Sequence, residues 1–379
     1  MRLRILHIIP SLNKGGAERI TLDICRSLAN REDCEVLLVL MRDDISYEIP
    51  TNLNYQITSS RVKLSVWKKN KFKLKDFEKI IAEFNPHIIH SHLFEAEVLS
   101  RARIKKDIVY ISHIHDNITQ YNKLKCKKPI KRKISDNYER IWLFKRYKKT
   151  DNQFISISSD TTHFLQNVLP FSLKNNIFSL ANAIDYKSFE NIESKAIGSE
   201  LIRLISVGSL VPKKNQRLLV EIANLLKSKN INFEIIILGE GIERINLEDE
   251  IAIKGLSKYV KLLGNVNDVS FYLKNSTLFL HTATYEPFGL VLLEAMASGL
   301  PVISLDGGGN RDVVLDGQNG HLIQENNAIC FVKKIIELIH DPSEYKKMSL
   351  FSREFAKQFD INNYVDKLVD FYKKNAVNK

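Results

Sequence analysis

A chain of 379 residues that is 44% hydrophobic and 26% charged is long enough to bury two ordinary cores, which excludes a disordered or fibrous protein. Its four cysteines, Cys25, Cys34, Cys126 and Cys330, have neither metal-ligand spacing nor the density of a disulfide framework, so they read as reduced thiols in a reducing, cytoplasmic compartment. The formal charge of +12 is unevenly placed: residues 1–185 carry all of it and residues 186–379 balance.

The opening run MRLRILHIIPSL combines basic residues with a short apolar stretch and lacks a cleavage site, which predicts a strand and not a signal segment. No stretch approaches the roughly 20 apolar residues that span a bilayer. Strands are expected at 4–9, 35–40, 87–92, 108–114 and 154–158, with amphipathic helices at 16–30, 75–84 and 94–105. A polar, weakly patterned stretch at 186–200 reads as a linker. The alternation restarts with strands at 201–207, 233–238, 260–263, 277–282 and 301–305, and the tail from 326 to 376 is helical by period. Alternating strands and helices predict parallel sheets, hence two doubly wound α/β units, 1–185 and 201–360, facing a cleft. In such sheets ligands bind beyond the carboxyl ends of the strands.

The stretch YEPFGLVLLEAMASGLPV, 285–302, places Glu286 on the loop after a strand and Glu294 on the helix that follows. A helix start offers backbone amides and a positive dipole end, so Phe288, Gly289, Leu290 and Val291 are candidate anion donors. A carboxylate suits vicinal hydroxyls of a sugar or ribose and is repelled by phosphate. The alternative is a buried helix with an acid near its start. Lys213 and Lys214 follow strand 201–207 at the sheet's carboxyl edge, where point charges stabilise a leaving diphosphate; two exposed lysines before a helix is the plainer reading.

Several of these segments together resemble the retaining glycosyltransferases of family 4, which have the GT-B fold of two Rossmann-like units. EPFGLVLLE resembles the family's E-x7-E motif, IIPSLNKGGAERITLDICRSL its glycine loop and helix, and ISHIHDN its strand ending in His-Asp. LANAIDYKSF is similar to its interdomain strand, SVGSLVPKKNQRLLV to its phosphate segment, and LDGGGNRDVVLDGQNGHLI to its C-terminal signature. The resemblance implies that Glu294 binds the nucleotide ribose, that Glu286 contacts the donor sugar near the reacting carbon, and that Lys214 neutralises the diphosphate. It further implies a donor site including Lys213, Gly208, Leu263 and residues 288–291, a role for His115 at the transferred sugar, and a closing helix, 361–379, packed on the first unit. Ser209 stands where the family commonly has arginine, and Ala183 where it has glycine.

Gly15 and Gly16 open the first helix, where amides approach a phosphate or the acceptor; neither a dinucleotide fingerprint nor a P-loop is present. The pairs His90/His92 and His113/His115 put two rings on one strand face. Their spacing is not that of a metal motif, and no Asp-x-Asp occurs, so neither a metal nor another cofactor is expected beyond the nucleotide-sugar co-substrate. Residues 122–149 carry a net +10 with Tyr138, Trp142, Phe144 and Tyr147 interleaved. The options are nucleic acid, a solvated face or an anionic membrane surface; without a nucleic-acid fold, the membrane is favoured, with the aromatics at headgroup level. The expected activity is transfer of a sugar, from a UDP-sugar donor in the first instance, to a glycan or lipid-linked glycan in cell-surface polysaccharide synthesis, at the inner face of the cytoplasmic membrane. A nucleotide-sugar epimerase of the same architecture and a basic polyanion binder are the alternatives.

Overall fold

The computed structural model describes residues 2–121, 129–191 and 201–377. They form two compact units, Met1–Ala183 with Ile361–Lys379, and Ile184–Asp360.

Unit 1 runs β1 (Leu3–Ile9), α1 (Gly16–Ala29), β2 (Cys34–Leu40), β3 (Asn54–Ile57), β4 (Arg61–Lys63), β5 (Lys71–Lys73), α2 (Lys75–Phe84), β6 (Ile88–His92), α3 (Phe94–Ser100), β7 (Val109–Ile114), α4 (Ile130–Thr150), β8 (Gln153–Ser156), α5 (Ser159–Val168) and β9 (Ile177–Ser179). Seven strands form a parallel sheet in the order β3-β2-β1-β6-β7-β8-β9, and β4 and β5 form a separate antiparallel hairpin. β1, β2, β6 and β7 are buried almost throughout, which is why they read as near-continuous apolar runs. Edge strands β3 and β9 are short and weakly apolar, so the sequence pattern does not announce them.

Unit 2 runs α6 (Tyr186–Phe189), β10 (Ile202–Val207), α7 (Arg217–Ser228), β11 (Phe233–Leu238), α8 (Arg244–Ile253), β12 (Val260–Gly264), α9 (Val269–Lys274), β13 (Leu278–His281), α10 (Leu290–Ala297), β14 (Val302–Leu305), β15 (Gly320–Ile323), α11 (Ala328–His340) and α12 (Pro342–Lys357). Its parallel sheet has the order β12-β11-β10-β13-β14-β15, in which the direction of winding reverses between β10 and β13. The equivalent reversal in unit 1 lies between β1 and β6. The core of unit 2 packs α7, with Leu218, Leu219, Ile222, Ala223 and Leu226, and α11, with Phe331, Val332 and Ile335, on the strands. Asp341 ends α11 and caps α12 by accepting the Glu344 amide, while Pro342 occupies the first helical position, where its missing N–H costs nothing.

The last helix, α13 (Ile361–Val377), belongs to unit 1. It buries Tyr364, Val365, Leu368, Val369 and Tyr372, one stripe at helical spacing. Asp366 accepts from Arg31 at 2.5 Å, Lys373 donates to Asp33 at 2.8 Å, and Phe371 stacks on Phe178 with centroids 4.4 Å apart.

Three local expectations need correction. The stretch read as a linker from 186 begins as structure: α6 buries Tyr186 and Phe189 within unit 2, and the Asn191 amide donates to Ala297 O at 3.3 Å. Residues 192–200 lie outside the described residues. The helix expected over 94–105 stops at Ser100, because Arg101 turns inward and its buried guanidinium donates to Asn152, Ser91, Ser100 and Ser112. Trp142 and Tyr147 are core residues under α4 and Phe144 packs against them, so these three aromatics do not form a headgroup-level face.

Candidate active site

The winding reversal of unit 2 gathers its charged residues. β10 ends at Val207, and the chain passes through Gly208 into the turn Pro212–Lys214. That turn is tied to the exit of β13: Thr284 donates its amide to Lys213 O at 2.9 Å, and Thr282 Oγ1 donates to Lys214 O at 3.0 Å. So anchored, Lys214 Nζ donates to Glu286 Oε2 at 2.5 Å, and His281 Nε2 lies 3.1 Å from the same oxygen. Glu286, expected on the loop that follows the strand, is buried, with 7% of its surface exposed. Burial alone would raise its pKa; the His281 ring and the Lys214 charge outweigh that and hold the carboxyl at about 2. Burial lowers the pKa of His281, with Glu286 opposing and Lys214 assisting. Lys213 is exposed, its ammonium 5.8 Å from the Tyr285 ring centre.

Glu286 is held through its backbone by the next loop. Its amide donates to Gly307 O and its carbonyl accepts from the Gly309 amide, both at 2.9 Å. A side chain at Gly309 would put Cβ 1.8 Å from Pro287 O, so only glycine allows the approach. Buried Asn310 locks that loop, accepting from the Gly307 amide and donating to Ser304 Oγ and Leu305 O. α10 then begins at Leu290 after Gly289, whose φ of +97° is a turn that side chains rarely adopt. The amides of Gly289, Leu290 and Val291 are those of a helix's first turn, which lack intrahelical acceptors. The Phe288 side chain is buried near Phe359, leaving the backbone as what this residue offers. Glu294 is half-buried on the second turn of α10, and Leu263 is exposed at the end of β12.

Unit 1 collects neutral rings at its own reversal. His7 on β1 pairs in register with His90 on β6, and His92 pairs with His113 on β7. With His115, these rings form one stacked array with neighbouring centroids 4.1–5.2 Å apart. Burial without a countercharge drives their pKa values down, to about 3 for His7 and His115 and well below the usual value for His90, His92 and His113. Sequence reasoning found the two i, i+2 pairs but missed His7, which shares their strand face, and Tyr372, which meets them from α13. It also missed His281, signalled only as a polar residue closing an apolar strand, and Asn310. At the glycine loop, Gly15 caps α1 in extended conformation and exchanges hydrogen bonds with Tyr47 Oη. A Cβ at Gly15 would meet Glu18 Oε2 at 2.3 Å, so a carboxylate already covers this face of the helix start, while Gly16 is exposed.

The basic surface of unit 1 differs from the stretch expected. Of residues 122–149, 122–128 lie outside the described residues. α4 exposes Ile130, Lys131, Arg132, Lys133 and Ile134. The β4–β5 hairpin joins it: Asn70 donates to Tyr138 Oη at 2.8 Å and Phe72 stacks on Trp142 at 6.4 Å. This hairpin exposes Trp67 at 64% beside Lys63, Lys68, Lys69, Lys71 and Lys73. Among the described residues no helix is long and apolar enough to cross a membrane.

Comparison with known proteins agrees with this architecture. The Glycosyltransferase Family 4 model matches residues 14–187 and the Glycosyl transferases group 1 model matches residues 187–355. The chain belongs to the family 4 glycosyltransferases. It is 30% identical to an uncharacterized glycosyltransferase of Haemophilus influenzae over 51% of this chain and 54% of that one, and spans about half the length of several curated relatives that it matches. It is 27% identical, over 93% of this chain and 94% of the other, to the N-acetylgalactosamine-N,N'-diacetylbacillosaminyl-diphospho-undecaprenol 4-alpha-N-acetylgalactosaminyltransferase of Campylobacter jejuni. Among solved structures, Anabaena HepE in complex with UDP-glucose superposes with a TM-score of 0.78 at 19% identity, covering 98% of this chain and all of that one. The fold is GT-B.

Proposed function

We propose that this protein is a retaining glycosyltransferase that moves a sugar from a nucleoside diphosphate donor to a hydroxyl of a glycan or lipid-linked glycan during bacterial surface polysaccharide synthesis. The observation that carries the reading is the buried Lys214–Glu286 pair beside His281, at the point of unit 2 where α/β sheets bind ligands. Lys214 has two further N–H donors for a leaving diphosphate, and the first-turn amides of α10 add a dipole of the same sign. Glu286, kept ionised, stabilises positive charge that develops on the sugar as its bond to the diphosphate breaks. The acceptor oxygen bonds to the anomeric carbon on the face from which the diphosphate leaves, and the diphosphate takes the acceptor's proton. Glu294 binds the ribose hydroxyls and His115 meets the transferred sugar. UDP is favoured because the related Anabaena structure holds it, and a lipid-linked acceptor because the Campylobacter relative is named for one.

With no Asp-x-Asp in the sequence, Lys213, Lys214 and the α10 amides supply the charge on the diphosphate, which supports metal-independent transfer. The hairpin and α4 together rest on anionic headgroups at the cytoplasmic face, with Trp67 as the aromatic at headgroup level in place of the buried Trp142 and Tyr147. A screen of nucleotide-sugars against a membrane extract, scored by diphosphate release, tests the whole reading. Release that requires the acceptor and survives excess EDTA is expected. Loss of release to EDTA with restoration by Mn²⁺ removes metal independence, and acceptor-independent epimerisation of the donor removes the transferase.

A further inference from the structure

The buried histidines of unit 1 form a continuous hydrogen-bonded path that ends on a tyrosine. From His115 Nε2 it runs to His92 Nδ1 at 2.9 Å, and from His92 Nε2 to His7 Nδ1 at 2.9 Å. His7 Nε2 then meets Tyr372 Oη at 3.3 Å, and Tyr372 Oη meets His90 Nδ1 at 2.5 Å. A neutral imidazole has one N–H and one bare nitrogen, so a ring that accepts on one side donates on the other. The path therefore has a single direction, and the one phenolic proton sets it. Hydroxyl donors make shorter hydrogen bonds than ring N–H donors, which assigns that proton to the short His90 contact. Tyr372 Oη then accepts from His7 Nε2, His7 Nδ1 from His92 Nε2, and His92 Nδ1 from His115 Nε2. His115 Nδ1 is left bare, buried and without a hydrogen-bond partner among the described residues.

We infer that Tyr372, on α13, is a positioning residue for His115: acting through His7 and His92, it holds His115 in the Nε2–H tautomer with Nδ1 as an acceptor for a hydroxyl. That the hydroxyl belongs to the transferred sugar rests on the function proposed above; the tautomer does not. The competing use of the cluster is a metal centre, since nitrogens of His92, His113 and His115 lie within 4.8 Å of one another. Ring orientation argues against it. His113 and His115 stack at 4.1 Å with planes 16° apart, so their in-plane lone pairs run side by side and do not converge on one ion. Both nitrogens of His92 are already engaged.

Nitrogen NMR of ¹⁵N-histidine-labelled, tag-free full chain reads the tautomer directly. The wild type is expected to show His115 with a protonated Nε2 and a bare Nδ1. In Tyr372→Phe the two His115 signals converge as tautomers mix, and sugar transfer falls roughly twofold as the competent fraction halves. His90→Phe makes the sharper case. With His90 gone, the Tyr372 proton has only His7 Nε2 to meet, every link reverses, and His115 becomes Nδ1–H. A merely structural role for Tyr372 does not produce that swap. A protonated Nδ1 in the wild type overturns the inference, as do His115 signals unchanged in whichever variant folds. Stoichiometric Zn²⁺ binding that shifts His92, His113 and His115 together overturns it in favour of a metal centre. If wild-type protein transfers no sugar at all, the proposed function fails while the spectra still decide the relay.

Discussion

Glu286 and Glu97 are buried carboxylates, one in each unit, at 7% and 0% exposure, and they stand on opposite sides of the ordinary glutamate pKa, at about 2 and about 7. Burial raises both. Glu286 has the His281 ring at 3.1 Å and the Lys214 ammonium at 2.5 Å, which together more than offset that cost. Glu97 is surrounded by hydroxyls, Tyr147, Tyr121 and Ser112, while nearby Arg101 spends its donors on Asn152 and serines. Desolvation therefore wins at Glu97 and loses at Glu286. The histidine array of unit 1 follows the same rule as Glu97. A fold that places polar groups at a sheet reversal does not decide their charge; the nearest countercharge does.

Breaking the pair in unit 2 tests this most severely. Glu286→Gln and Lys214→Ala should each reduce turnover by about 10²- to 10³-fold, the loss typical of one electrostatic stabiliser. The double variant should cost little more than the worse single one, because each partner works through the other. Additive losses in steady-state kinetics would show that the two act separately. Because Glu286 titrates near 2, its contribution is present above its unfolded value of 4.5 and is lost only as pH falls through about 2. The acid limb of the rate profile between pH 5 and 7 should then be the same in wild type and Glu286→Gln.

Glu97 gives the opposite sign. Its folded pKa lies above the unfolded 4.5, so its contribution is complete below that value and is lost as pH rises through about 7. Thermal melting should fall from pH 5 to 7.5, by at most about 1.4 kcal/mol per pH unit from this one group. Glu97→Gln should flatten that slope, and an equally steep slope in the variant would place the titration elsewhere.

Glu294→Ala sharpens the contrast within unit 2. Its proposed hydroxyl contacts persist from ground state to transition state, so the donor KM should rise about tenfold with turnover nearly unchanged. A fall in turnover at constant KM would assign Glu294 to the chemistry. The smallest effect concerns the surface of unit 1. Replacing Lys68, Lys69, Lys131, Arg132 and Lys133 with glutamate should abolish binding to anionic vesicles while leaving turnover on a short soluble acceptor intact. Wild-type binding should weaken as salt rises, since attraction at about 8 Å is already screened at physiological ionic strength. Co-sedimentation that is unchanged in the variant would make this a solvated face.

The sequence made the buried parallel strands legible because their apolar runs are near-continuous, and it made the Glu286 and Lys214 loops legible because motif and strand end coincide. What it hid depends on register between distant segments. His7, His92, His115 and Tyr372 become one cluster only when β1, β6, β7 and α13 are aligned, and no local spacing encodes that. The burial of Glu286 is hidden for the same reason: the loop that holds it, Gly307–Asn310, lies about 20 residues downstream. The basic run on α4 concealed a core face, because Leu143 and Tyr147, four residues apart, are buried with Trp142 among lysines that are exposed.

The chain leaves unit 1 after Ala183 and re-enters it at Ile361, and the two ends of unit 2 are joined by a bridge between Ile184 and Asp360, with the Ile184 amide donating to Phe359 O at 2.9 Å. Unit 2 is thus an insertion with adjacent ends. During synthesis on the ribosome it can complete its sheet while unit 1, already translated through Ala183, still lacks the helix that covers His7 and His90. The first half made is the last to finish, because the tyrosine that closes its histidine face arrives only with α13.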